Sequence, residues 1–200
     1  MIDILDKSRK LHEQAIELLY EGGIHKILSS KAKVFYTGSY NLDLMVWPDI
    51  DIYLSIQNNP FDKEIFFDIG KEIALLPDVV SLKYKDHRSY PLEILPRGLY
   101  WNIRIDNEQF DTPWKIDIWA LAEQQIKENI KEIEKIKQKL NEQNRKLILK
   151  VKQSLINEKG RTPILSGYHI YQAILLYGMR EREDIVWYLK KKGVNLDDSG

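Results

Sequence analysis

Residues 35–54 read FYTGSYNLDLMVWPDIDIYL, and their second half alternates. Ile50, Ile52 and Leu54 point one way; Asp49, Asp51 and Tyr53 point the other. A period of two predicts a strand over 49–56, with one apolar face and one face bearing two carboxylates side by side. Asn58-Asn59-Pro60 ends it. Upstream, Val34 to Thr37 reads as a buried strand closed by Gly38. Tyr40 to Met45 reads as a short helix, so strand, Gly38-Ser39, helix and acidic strand follow one another directly.

The flanking segments complete a mixed pattern. A helix is expected over 6–20, stopped by Gly22-Gly23, with a second turn over 24–28. Residues 62–76 place Ile65, Phe66, Ile69, Ile73 and Leu76 on one side of a helix. Val79 to Tyr84 reads as a strand and 85–97 as a loop. Leu99 to Ile105 and Trp114 to Ile118 both alternate and form a plausible hairpin. From Trp119 onward the chain is helical and charged, with an interruption near Asn141–Asn144. Thr162-Pro163 reads as a helix start, and the last helices are expected over 163–177 and 181–192. Tyr168, Tyr171 and Tyr177 are expected in the core. The fold class is α/β (α+β): a small mixed sheet with helices on one face and a C-terminal helical extension. Residues 1–118 form the first part and 119–200 the second.

Composition narrows the chemistry. The chain has 200 residues, 30 Lys+Arg against 30 Asp+Glu, and no cysteine. Disulfides, thiolate zinc sites and thiol nucleophiles are excluded. No apolar run approaches the ~20 residues of a membrane-spanning helix, and the first ten residues are too charged for a secretory leader. A soluble, cytoplasmic protein with no membrane partner is expected; its oligomeric state is left open. The zero net charge conceals an asymmetry: residues 127–159 hold ten Lys/Arg and five Glu. That run reads as a solvated, ion-paired helix face, or as support for a polyanion.

Asp49 and Asp51 leave the same strand face, and Asp117 sits in a second strand opposite Ile116 and Ile118. Either pattern alone also describes a solvated strand face. Adjacent carboxylates repel, so placing them together calls for a cation, and oxygen donors suit a hard divalent metal such as magnesium. Gly38 permits close backbone approach and Ser39 offers a hydroxyl, together a cradle for phosphate. Lys115 shares a face with Asp117, where it can meet nucleotide phosphate or form a salt bridge. Tyr53 and Arg104 lie on the same polar faces. The four histidines show no ligand spacing.

With these residues in place, the chain resembles the nucleotidyltransferase superfamily, the DNA polymerase β-like group. The shared pattern is a strand ending in Gly-Ser, a spacer, acid–apolar–acid on a strand, and a later third acid, here in WKIDIW (114–119). The resemblance covers roughly residues 5–120. It implies that Asp49, Asp51 and Asp117 are catalytic and bind two magnesium ions, or manganese in their place. It also implies that Gly38, Ser39 and Lys115 contact a nucleoside triphosphate. The Gly38-Ser39-x-x-Leu42-Asp43-Leu44 run is closest to the antibiotic-modifying branch. That implies a small-molecule hydroxyl acceptor such as an aminoglycoside or lincosamide, rather than RNA or protein. A transferase acting on RNA or protein, of the toxin–antitoxin type, and a nucleotide-binding module without turnover are the alternatives.

Overall fold

The computed structural model describes residues 3–89 and 95–196. The chain divides into two compact units. One comprises His12–Leu42 and Pro48–Ile133; the other comprises Asp43–Trp47 with the described residues of Met1–Leu11 and Glu134–Gly200.

Among the described residues the first unit is built on five strands: β1 (Lys33–Thr37), β2 (Asp49–Ser55), β3 (Val79–Asp86), β4 (Leu99–Ile105) and β5 (Trp114–Ala120). Their order across the sheet is β1-β2-β5-β4-β3. Only β2 and β5 run parallel; the other neighbours are antiparallel, so the sheet is mixed. The expected hairpin of β4 and β5 is present. Alternation in β2 buries Ile50, Ile52 and Leu54 completely, and in β4 and β5 it buries Ile103, Trp114, Ile116 and Ile118. Helices α2 (Ile24–Lys31) and α4 (Lys63–Ala74) belong to this apolar side. Asp62 caps α4, its side chain accepting from the Ile65 N–H at 3.1 Å, which accounts for the helix start read from the sequence. Phe66 and Trp101 stack at 5.7 Å, and the Trp101 indole donates to the Phe66 carbonyl at 3.0 Å. Gly70 makes room for this, since a Cβ there would lie 2.7 Å from the indole ring.

Several boundaries differ from expectation. The first helix, α1 (Ile4–Ile16), ends in a π turn over Glu17–Glu21. Helix α3 spans only Gly38–Asn41. The expected helix over Tyr40–Met45 fails because Asp43 adopts φ 53°, which an α-helix cannot include. Lys85 and Asp86 extend β3, and of the loop expected over 85–97, residues 90–94 lie outside the described residues. Beyond β5 come α5 (Glu123–Lys139) and α6 (Glu142–Ser154), broken where the Asn141 side chain caps the Asn144 N–H at 2.8 Å. Thr162-Pro163 does not start a helix. Leu165 takes φ 60°, and α7 (Ser166–Leu175) begins after it. Helix α8 (Arg182–Lys191) closes at Gly193, φ 77°. Tyr171 is buried as expected, but Tyr168 and Tyr177 are exposed.

In the second unit the short segment Asp43–Trp47 is held by cations from α6. The Arg145 guanidinium donates to the Asp43 carbonyl at 2.7 Å, and the Lys152 ammonium donates to the Leu44 carbonyl and the Tyr171 hydroxyl. A buried lysine is tolerated because its donors are satisfied.

One electrostatic feature of the first unit has a pH signature. Asp86 accepts from Arg88 at 2.7 and 2.9 Å and pairs with Lys63 at 3.1 Å. The Arg88 hydrogen bonds hold its carboxyl well below the ordinary 3.8. A depressed carboxylate pKa contributes stability in full above the unfolded-state value and loses it as pH falls through the folded one. Asp86→Asn is therefore expected to melt below wild type at neutral pH, the two curves approaching one another as pH falls well below the ordinary carboxylate range in a pH series of thermal melts.

Candidate active site

The acids reach one face because β2 and β5 are parallel and in register. Asp51 is paired with Asp117, and Asp49 with Lys115. On either side, Thr37 of β1 is paired with Asp51, and Asn102 of β4 with Asp117. One cross-strand row thus reads Thr37, Asp51, Asp117, Asn102. The row beside it reads Asp49, Lys115, Arg104. Neighbouring strands lie about 4.8 Å apart, close enough for side chains in each row to meet.

Lys115 supplies the cation. Its ammonium lies 2.6 Å from Asp117 Oδ2 and 3.1 Å from Asp49 Oδ1, with all three side chains largely buried. Burial by itself draws the ammonium toward deprotonation. The charges of Asp49, Asp117 and Asp51 outweigh that and hold it above the ordinary lysine range. Lys115 thus forms a salt bridge, one of the two roles open to it from the sequence. Among the described residues, no group of three or more His, Cys, Asp or Glu side chains is placed to hold a metal ion.

The other oxygen of Asp117 is also fixed. Tyr100 Oη and Asn102 Nδ2 both donate to Oδ1, each at 2.8 Å. Burial raises the Tyr100 phenol, and the charge of Asp117 raises it further, so Tyr100 stays a donor. Neither residue was singled out from the sequence. The signal was present: Leu99, Trp101, Ile103 and Ile105 face the apolar side, which forces Tyr100 and Asn102 onto the acid face. Only the register reveals that Asn102 stands opposite Asp117, with Tyr100 on the same face opposite Trp119.

A second set of side chains on this face is aromatic. Phe35, Tyr53 and Tyr100 pack with Trp119 beneath Ile126 and Ile130 of α5. Helical cover therefore reaches part of the acid face too, beyond the single face expected. Tyr53 is pushed up to about 12, first by burial and then by the charge of Asp51.

Gly38 and Ser39 open α3 immediately after β1. Gly38 has φ 62°, and a Cβ built on it would lie 2.4 Å from Asp51 Oδ2. The backbone of the turn thus lies directly against the first carboxylate pair. Asn41 ties the turn back, donating to the Tyr36 carbonyl at 3.1 Å. Gly38→Ala is expected to cost about 1–2 kcal/mol for the left-handed backbone alone and to displace Asp51. A lowered melting temperature together with weakened binding of magnesium triphosphate by calorimetry is the expected outcome. Unchanged triphosphate binding would separate the turn from the site.

The architecture has counterparts among solved structures. The chain is similar over 98% of its length to 72% of a chain in the structure of the GLD-2/RNP-8 complex, with a TM-score of 0.56 and 14% identity. Over 88% of its length it is similar to 59% of a chain in the structure of the non canonical poly(A) polymerase complex GLD-2–GLD-3, with a TM-score of 0.50 and 15% identity. At this level of identity the likeness is one of fold. No protein-family model and no curated protein matches the sequence. The Gly38-Ser39 turn, the Asp49/Asp51 strand and Asp117 all belong to the first unit. The chain spans only 59% of the matched chain in the GLD-2–GLD-3 complex.

Proposed function

We propose that the chain transfers a nucleoside monophosphate from a nucleoside triphosphate to a hydroxyl of RNA. The observation that carries this reading is the in-register pairing of Asp51 with Asp117 on parallel strands, with Gly38 against Asp51, on a nucleotidyltransferase fold. Similarity to a poly(A) polymerase complex supports the choice of RNA. A small-molecule acceptor has no such support. The Asp43-Leu44 pair behind that expectation lies in the segment whose carbonyls are held by Arg145 and Lys152.

The donor set fits magnesium in kind. Asp49, Asp51 and Asp117 offer hard oxygens on one face, and the place already holds positive charge in the Lys115 ammonium. These three carboxylates would hold the ion. When bound, a divalent ion neutralises charge on the leaving pyrophosphate and favours the ionised acceptor hydroxyl. The acceptor oxygen attacks the α-phosphorus in line, the bond to the bridging oxygen breaks, and pyrophosphate leaves. The Gly38 turn brings backbone close to the phosphates, and the Ser39 hydroxyl supplies a donor. Tyr100 and Asn102 keep Asp117 from rotating, which preserves its alignment through the reaction. Lys115 holds the carboxylates together and neutralises charge as phosphate enters.

The test incubates the protein with magnesium, labelled nucleoside triphosphates, and either single-stranded RNA or a panel of aminoglycosides and lincosamides. Labelled, lengthened RNA is the expected product. Transfer to an antibiotic but not to RNA overturns the acceptor class; no transfer and no triphosphate binding overturns the enzyme reading. The bridging position of Lys115 favours one other reading, a nucleotide-binding module without turnover. Its signature is triphosphate that binds and is never consumed.

A further inference from the structure

We infer that Lys83 and Lys85 of β3, with Arg104 of β4, form a cationic lane that holds the phosphate backbone of a single-stranded RNA acceptor. The inference rests on the reading of the acid face as an RNA nucleotidyltransferase site. It adds where the strand runs.

The register places these residues. Lys83 is paired with Asn102, which is itself paired with Asp117; Lys85 is paired with Tyr100. Arg104 is paired with Lys115 on one side and Ser81 on the other. All therefore share the face of Asp49, Asp51 and Asp117. β3 presents only Ser81, Lys83 and Lys85 to that face, and no acid. Its one aspartate, Asp86, is on the alternate parity and is already bound by Arg88 and Lys63. Both lysines are exposed, and among the described residues neither has a carboxylate partner. The two lysines change the sign of this face, from acids on β2 and β5 to cations on β3.

Distances suit a polynucleotide. From β5 to β3 is two strand spacings, about 10 Å. A stacked strand advances about 3.4 Å per phosphate. An acceptor whose terminal hydroxyl lies at Asp117 therefore brings its phosphates beside Lys83 about three nucleotides behind the reacting end. A small hydroxyl acceptor or a lone triphosphate has no need of cations so far from the acids. The competing reading is that lysines blunt the exposed edge of β3 against pairing with another sheet.

The experiment measures binding of a short, labelled, single-stranded oligoadenylate by fluorescence anisotropy over a salt series, without metal or triphosphate. Lys83→Glu/Lys85→Glu is compared with wild type, with Lys83→Arg/Lys85→Arg, and with a control of equal charge change, Lys26→Glu/Lys71→Glu on α2 and α4. Expected is a loss of at least about ten-fold in affinity and a salt slope reduced by about two for the first variant only. Binding of magnesium triphosphate should be unaffected. If the Glu variant binds oligoadenylate as wild type does, or instead self-associates in sedimentation with its RNA affinity intact, the lane is overturned and the acceptor reading stands. If wild type binds no RNA, the RNA acceptor and the lane fail together.

Discussion

Replacing Asp49 and Asp51 together by alanine is expected to reduce nucleotidyl transfer by at least about a thousand-fold. The argument is electrostatic. The reaction separates negative charge onto pyrophosphate, and the residues that would gather cations around it are these carboxylates with Asp117. The fold should survive the change. β2 is anchored by Ile50, Ile52 and Leu54, all fully buried, and Lys115 keeps its 2.6 Å pair with Asp117. Circular dichroism and thermal melting should therefore stay close to wild type while product formation is lost. Equal transfer by wild type and the double variant would sink the site assignment even if the enzyme reading stood.

Lys115→Met carries the second large effect, on stability rather than turnover. Removing the ammonium leaves Asp49 and Asp117 with no bridging cation in a place where their side chains keep only 14% and 13% exposure. Stranding a partner of a buried ion pair costs about 3–5 kcal/mol, and the residual exposure puts this case near the lower end. A lowered melting temperature at neutral pH is expected. The same change opens the carboxylate cluster to another cation, so magnesium should raise the melting temperature of Lys115→Met by more than that of wild type. A variant that melts like wild type and ignores magnesium would show that the acids neither crowd one another nor accept a metal. The two readouts require no turnover, so they separate the electrostatics of the site from its catalysis.

The two predictions draw on different kinds of legibility. Asp49 and Asp51 stand out in the sequence because a strand's period of two is a local property. Two acids two residues apart must share a face whatever surrounds them. The same holds for the span of β4 and for the start of α4 at its Asp62 cap; β5 runs two residues past the expected Ile118, taking Trp119 and Ala120 into the strand. Where local preference was overridden, a single backbone conformation did it. Asp43 at φ 53° and Leu165 at φ 60° end one expected helix and delay another. Neither aspartate nor leucine announces such a conformation by its type alone.

The sequence by itself determined that a strand carries two carboxylates after a Gly-Ser turn, that a later strand carries a third, and that no thiolate chemistry is available. It could not determine what those carboxylates face. The pairing of β2 with β5 joins residues more than sixty positions apart, and cross-strand register is a non-local property that follows from packing of the whole sheet. That register alone sets Lys115 between Asp49 and Asp117, turns Tyr100 and Asn102 onto one carboxylate oxygen, and carries the lysines of β3 to the same face as the acids.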